Sequence, residues 1–393
     1  MTVVLLCEER VPEIEPQGWL PDANVAIVPD LCRRPGEIGR LAHGASHLVL
    51  GVCPGEYSLG AIQTQARRVG LDALGVELVD LRSAEGDAER LRLIVAGAVS
   101  RARAFGGSRP EHAKLCFPAD LSRRSLLTLS LPEYLAVPLA DESLCAADTG
   151  CRACVDACPR GALTWRNGRV ATDKVTCEPC GLCVGSCPTG AMVSPTETPA
   201  QIEAQIRALL DAAIGPLGPR GIVFTCRRAP RVETAPGWFP VTLPCAGMAP
   251  PAWILAPLLM GAGAEGIRPC GDTGCPLGND ETIVERVAYC RKVLGLLGLS
   301  ENRVTTDPAG APQKEGPAVD LEDPFGPLGS AEVLAGLAEL SGVIAPAVLE
   351  HPRSPVGTIE IREEVCTACT MCAQSCPTGA LAQEHEEERV VVT

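Results

Sequence analysis

One cysteine spacing occurs three times in this chain, and it limits the possible folds more than any other feature. Residues 151–163 read CRACVDACPRGAL, 177–192 read CEPCGLCVGSCPTGAM and 366–381 read CTACTMCAQSCPTGAL. In the middle copy Cys177, Cys180, Cys183 and Cys187, with Pro188 behind them, have the spacing C-x2-C-x2-C-x3-C-P. A tight loop of that kind lays three thiolates around one face of an iron–sulfur cubane. The fourth cysteine, on the helix that follows, reaches a neighbouring cluster. Zinc also uses C-x2-C pairs, but it needs neither the third cysteine nor the C-x3-C-P tail twice over. Proline then turns the chain away, and Gly190 relieves the next bend.

Crossing the ligands between copies yields two sets of four. The first is Cys145, Cys151, Cys154 and Cys187; the second is Cys177, Cys180, Cys183 and Cys158. Cys145 supplies the position missing from the first copy, across a loop of five residues instead of two. On these motifs residues 139–195 resemble the bacterial ferredoxins that carry two [4Fe-4S] clusters, with the long first loop as a departure. In the third copy Cys366, Cys369 and Cys372 suit three irons of a further [4Fe-4S] cluster. The usual geometry points Cys376 at a neighbour whose loop is absent. A fourth thiolate would come from elsewhere in the chain, from a partner subunit or from sequence beyond Thr393, unless Cys376 closes its own cluster.

Composition narrows the class. The 21 cysteines are an odd number in a chain of 393 residues with no readable export signal, which argues against a disulfide scaffold. Aromatic residues are only 3 %, so the cores must come from Val, Leu, Ile and Ala, with metal adding folding free energy where they are thin. A net charge of −14 argues against nucleic acid or an anionic membrane as the main partner. No apolar run of about 20 residues is present to span a bilayer. The expectation is a cytoplasmic protein.

The remainder reads as α/β. Val3–Leu6, Val25–Val28 and Leu48–Val52 are apolar runs of the kind buried on both faces of a parallel sheet. Helices are expected over Ser58–Val69 and Gly86–Phe105, so residues 1–125 form one small α/β unit. Thr198-Pro199 caps a helix, and a second α/β unit occupies about 215–305. Its strands include Ile222–Phe224, Val241–Leu243 and Glu265–Ile267, and a long helix follows from Asp280 to Gly298. Residues 306–329 read as a linker, Ser330 as a helix cap, 306–353 together as linker and helix, and 354–393 as a C-terminal half-repeat. The fold class expected is α/β and α+β multidomain: two parallel-sheet units flanking a ferredoxin-type domain.

Further cysteines fall at strand ends. Cys226, Cys245 and Cys270 follow successive strands of the second unit, and Cys275 closes a Gly-rich loop. Strand carboxyl ends converge on one crevice in such sheets, and Gly271 and Gly274 let backbone N–H groups approach an anionic cluster. LPCAGMAPPAWILAPLLMGAGAEGIRPCGDTGCPLGND (243–280) with ERV…RKVLGLLGLSENRV (285–304) resembles the delta subunit of methyl-viologen-reducing hydrogenases. That resemblance covers about 220–305. It implies a [2Fe-2S] cluster, here on Cys226, Cys245, Cys270 and Cys275, and electron passage between a hydrogenase or formate dehydrogenase and a heterodisulfide reductase. The family's second cysteine after the first is replaced by Arg227-Arg228-Ala229. Arg227, Arg228 and Arg231, if close, would raise the cluster's potential by favouring its reduced state.

Cys7, Cys32 and Cys53 repeat the pattern in the first unit. HLVLGVCPGEYSLGAIQTQARRVGLDALGVELVDLR (47–82) is similar to the N-terminal domain of the heterodisulfide-reductase-A family, which implies a [4Fe-4S] cluster on those three thiolates. Cys116 is the spare candidate for its fourth ligand, and Cys290 is expected in the core. No G-x-G-x-x-G follows a strand, so no flavin is expected in this chain. His43 and His47 are expected on a polar edge, and Glu384–Glu388 as a solvated acidic segment. These readings converge on a non-catalytic electron-transfer subunit with dehydrogenase, hydrogenase or formate dehydrogenase and heterodisulfide-reductase-like flavoprotein partners. An iron–sulfur redox sensor would need an effector or nucleic-acid module, and a zinc-stabilised protein would be colourless.

Overall fold

The buried apolar runs form two four-stranded sheets, each entirely parallel, in the computed structural model of the chain. The structure describes residues 1–117, 131–213, 218–228, 235–270, 275–312, 318–327, 329–343, 349, 351, 354–356, 361–362, 364–376, 381, 383–386 and 389–392. Gly271, Gly274 and Arg231 lie outside these.

The first sheet comprises β1 (Thr2–Cys7), β2 (Ala23–Val28), β3 (His47–Val52) and β4 (Val76–Asp80), in the order β2-β1-β3-β4. Every residue of β1 is buried, because helices cover both faces of a parallel sheet. Helix α1 (Gly36–Leu41) joins β2 to β3, and α2 (Leu59–Arg68) joins β3 to β4. Ser58 caps α2 by accepting from the Ala61 N–H, and Asp87 caps α3 (Ala88–Arg103) at Glu89 and Arg90.

Beyond α3 the pieces shorten. Strands β5 (Ala113–Cys116) and β6 (Glu133–Ala136) pair antiparallel. Next come β7 (Leu139–Ala140), α4 (Ala153–Asp156), β8 (Leu163–Arg166), β9 (Arg169–Thr172), α5 (Leu182–Gly185) and β10 (Met192–Val193). Antiparallel pairing of β7 with β10 closes the cysteine-rich segment at its base. Helix α6 (Pro199–Leu210) starts in a capping box between Thr198 and Gln201. It packs on α3, where a side chain at Gly97 would meet Leu209 at 3.1 Å.

The second sheet comprises β11 (Gly221–Cys226), β12 (Trp238–Leu243), β13 (Ala264–Ile267) and β14 (Val304–Thr305), in the order β12-β11-β13-β14. Helix α7 (Pro251–Leu259) joins β12 to β13, and α8 (Asp280–Leu296) joins β13 to β14. Numbered within each sheet, the order is 2-1-3-4 both times, so the units share one topology. Arg90 and Arg101 of α3 reach across to the Trp238 and Thr242 carbonyls of β12 at 2.7 and 3.2 Å.

Two expectations need correction. Residues 306–329 are not a solvated spacer over their described part: Leu321 and Phe325 are buried, and the Trp253 indole donates to the Phe325 carbonyl at 2.8 Å. Two apolar side chains outweigh the Pro/Gly texture there. Helix α9 (Gly329–Ser341) already contains Ser330, which is therefore not its cap. Residues 383–386 of the acidic segment form β15 (Gln383–Glu386), paired antiparallel with β16 (Arg389–Val392).

Glu265 on β13 is fully buried, and among the described residues neither carboxylate oxygen has a hydrogen-bond partner. Burial raises its pKa well above the usual carboxylate range. A raised folded-state pKa means that stability is greatest below the unfolded value and falls as pH rises towards the folded one. Glu265→Gln is expected to stabilise the protein by about 1–3 kcal/mol at neutral pH and to flatten that dependence. Denaturant melts at pH 5 and pH 8 check this; equal sensitivity to pH in both proteins would refute it.

Candidate metal centres

Cys158, Cys177, Cys180 and Cys183 line one small cavity together with Pro159, Ala162, Leu163 and Gly181. This is the second crossed set. Cys177 and Cys180 hang on the loop before α5, Cys183 lies in α5, and Cys158 arrives just after α4. Gly181 takes φ +76°, the left-handed turn that lets the loop wrap. Burial pushes the Cys177 thiol up to about 11, with Cys180 adding to it, and pushes Cys183 up further. Such thiols ionise on binding metal, not in its absence. The Ala162 N–H points at the Cys158 sulfur, 3.3 Å away.

Cys154 is likewise pushed up to about 11, by burial and then by Cys187, Cys145 and Cys151. Those four are the first crossed set. The long loop after Cys145 is a 3-10 turn over Ala146–Thr149, ended by Gly150 at φ +95°. It brings Cys145 back beside its partners, which a two-residue loop does elsewhere. Among the described residues of both sets no three sulfurs crowd within 4.8 Å, which suits a cubane whose thiolates bind different irons.

In the second parallel sheet, Cys226 closes β11, Cys245 lies two residues past β12, and Cys270 three past β13. The Cys245 thiol is raised strongly by its hydrogen bond with Cys226 and by burial. Cys270 is pushed up to about 12 by burial, and then by Cys226 and Cys275. All four expected thiols are therefore brought together, in touching pairs rather than one tight knot. Groups absent from the expected set support them: Asn279 Nδ2 lies 3.6 Å from Cys245 Sγ, and Asp280 accepts from the Cys275 N–H at 2.6 Å. Cys290 is fully buried on α8.

The three N-terminal thiols Cys7, Cys32 and Cys53 are buried, with all sulfurs within 4.8 Å of one another. Cys7 is itself the last residue of β1 rather than following it. Cys116 does not join this group; it ends β5 opposite Glu133. The C-terminal copy differs again. Cys366, Cys369 and Cys372 are exposed and Cys376 is half-buried. Its short helix α10 (Met371–Gln374) repeats α5, but Thr370 holds φ +66° where the second copy has Gly181.

Comparison with protein families agrees with this geometry. The 4Fe-4S dicluster domain matches residues 149–191, a 4Fe-4S binding domain matches 359–382, and the delta subunit of methyl-viologen-reducing hydrogenase matches 226–323. Separate segments of the chain thus match a hydrogenase-delta model and two ferredoxin-type models. No curated protein matches it significantly. The delta match runs on past β14 through the buried Leu321 and ends two residues before Phe325, whose carbonyl accepts from Trp253.

The delta-like and dicluster regions meet at their cysteines. Cys180, Leu182 and Cys245 form a single buried contact group, with Leu277 at its edge. Arg228 pairs with Glu178 of the dicluster loop, and its charge acts on Cys226 and Cys180 alike. Arg227 turns instead to Glu197, 3.4 Å away. Of the two, Arg228 is the arginine placed to tune both centres. Because its side chain is 46 % exposed, its contribution is screened to about 1 kcal/mol or less. Arg228→Ala is expected to lower both midpoint potentials by on the order of 20–40 mV in redox titration. Unchanged potentials would exclude this role. Among the described residues, no helix is long and apolar enough to cross a membrane.

Proposed function

We propose that the chain is a multi-cluster electron-transfer subunit. It would relay electrons between a dehydrogenase- or hydrogenase-type partner and a heterodisulfide-reductase-like or ferredoxin-linked partner. The carrying observation is the buried contact of Cys180, Leu182 and Cys245, which sets a dicluster ligand beside a ligand of the delta-like centre. On this reading Cys145, Cys151, Cys154 and Cys187 hold one [4Fe-4S] cluster and Cys158, Cys177, Cys180 and Cys183 a second. Cys226, Cys245, Cys270 and Cys275 hold a [2Fe-2S] cluster. Cys366, Cys369, Cys372 and Cys376 serve a [4Fe-4S] cluster at the C-terminal end, where their exposure suits a terminal exchange point.

When bound, the clusters supply one-electron change at iron, over potentials of roughly −700 to +450 mV. The protein's own residues fix the rest. Leu182 and Leu277 keep water from the junction, and Arg228 favours the reduced, more negative state on both sides. The division into 1–125, 139–195, 215–305, 306–353 and 354–393 follows the same reading, with the first unit similar to the N-terminal domain of the heterodisulfide-reductase-A family.

Cys245→Ser tests the assignment. Anaerobically purified, dithionite-reduced wild type should show a [2Fe-2S] EPR signal beside the cubane signals, broadened by a neighbouring spin. The variant should lose that signal alone, with about two irons per chain. An unchanged spectrum would reject the [2Fe-2S] centre, and zinc in place of iron throughout would reject the relay.

A further inference from the structure

We infer that Cys7, Cys32 and Cys53, with Glu9 against Cys7 beside them, form a site for a single thiophilic divalent ion, of the zinc or ferrous class, rather than for a cubane. The chain's own cysteines carry the comparison. A tetrahedral ion with metal–sulfur bonds of about 2.3 Å sets its thiolates about 3.8 Å apart. Thiolates on separate corners of a cubane are further apart by the iron–iron separation as well. Among the dicluster sulfurs, all of them described, no three lie within 4.8 Å of one another, whereas Cys7, Cys32 and Cys53 all lie within that limit.

Topology makes the convergence a built feature. The two parallel sheets share the order 2-1-3-4, and their cysteines occupy corresponding places. Cys7 and Cys226 end the first strand; Cys32 and Cys245 follow the second; Cys53 and Cys270 follow the third. The chain reverses its direction of travel across the sheet between the first and third strands, which is where open α/β sheets bind ligands.

The second unit completes its set with Cys275, and the first has no such cysteine. Glu9 lies beside the set without joining the three sulfurs inside 4.8 Å. Its Oε2 lies 2.6 Å from Cys7 Sγ, and its charge is also felt at Cys53. Glu9 is exposed while the three thiols are at most 7 % exposed, so the ion would sit at the mouth of a buried sulfur pocket with its fourth position towards water and Glu9 as an outer carboxylate against Cys7. Two further groups support the pocket. The Cys53 N–H donates to Cys32 Sγ at 3.1 Å, and the Arg82 charge acts on Cys53, offsetting part of the excess negative charge of three thiolates and a carboxylate.

The full chain, purified anaerobically, supplies the test through metal and acid-labile sulfide analysis of wild type, Cys32→Ser and Glu9→Gln. Cys32→Ser should lose one metal ion per chain with inorganic sulfide unchanged, since a single-ion site contains none. Zinc or iron as the ion lost identifies the occupant. Loss of several irons with matching sulfide would overturn the inference in favour of a cubane, and so would an unchanged metal content. Glu9→Gln alters an exposed side chain and should leave the fold intact even if Cys32→Ser does not. It should yield its ion to a chelator at least about tenfold more readily than wild type. Equal retention would remove Glu9 from the site.

Discussion

Replacing Cys183 by serine is expected to undo the whole of the dicluster region, not one centre within it. The apolar groups there are small. One consists of Val137, Ala162 and Cys177 with Cys158 beside it; the other is built on Cys154, Leu163 and Met192, with Cys158, Cys183 and Cys187 packed against it. Ligand cysteines run through both small groups, so the metal completes them, and metal binding becomes folding free energy of the order of 10 kcal/mol. Cys183 sits among Cys180, Cys177 and Cys158 of its own set and Cys154 of the other, so a defect at one centre is felt at both. The variant should lose about eight irons and the hydrogen-exchange protection of β7 to β10. The two parallel sheets, which share one large aliphatic core, should stay protected. Cys369→Ser provides the contrast: it lies in an exposed loop and should cost only its local iron. Retention of half the dicluster iron with unchanged protection in Cys183→Ser would show that the two centres fold independently.

How much of this was legible depended on the range over which each feature is encoded. The cubane motifs are local: four thiols within eleven residues specify their own loop, and the crossed pairing follows from the helix behind it. Strands β1, β3 and β11 were readable because parallel strands buried on both faces become continuous apolar runs. Val304–Thr305 was not, since two residues carry no period and only pairing with Glu265 and Gly266 makes them a strand. The set at 226–275 was legible only through topology, by placing each cysteine at a strand's carboxyl end. Glu9 carried no such signal: an acid two residues after a cysteine is ordinary until the sheet brings Cys32 and Cys53 beside it. Composition misled at 306–329, where Leu321 and Phe325 decide the packing against the average of their neighbours.

Gly185→Ala is expected to leave every cluster in place and yet disconnect them. A Cβ at Gly185 would stand 1.8 Å from the Met248 carbonyl oxygen and 2.8 Å from its carbon. Both are backbone atoms that cannot rotate aside, so the two regions must part. Arg286 fixes the same contact from the other side, donating to the Gly247, Ala249 and Gly185 carbonyls, the last two at 2.7 and 3.3 Å. Overpacking of this kind costs about 1–3 kcal/mol, too little to unfold either region but enough to open the junction. Gly181 provides the control. A Cβ there meets the Met248 side chain, which can swing away, so Gly181→Ala strains its own left-handed turn without moving the neighbouring backbone. On the proposed assignment Cys180 and Cys245 are ligands on opposite sides of this junction, and tunnelling between their centres would fall steeply as the gap widens. Gly185→Ala should therefore keep full iron content and both EPR signals, lose the broadening that reports their proximity, and slow internal electron equilibration well beyond what Gly181→Ala does. Undiminished spin coupling in Gly185→Ala would mean that charge crosses by some route other than the Cys180–Leu182–Cys245 contact.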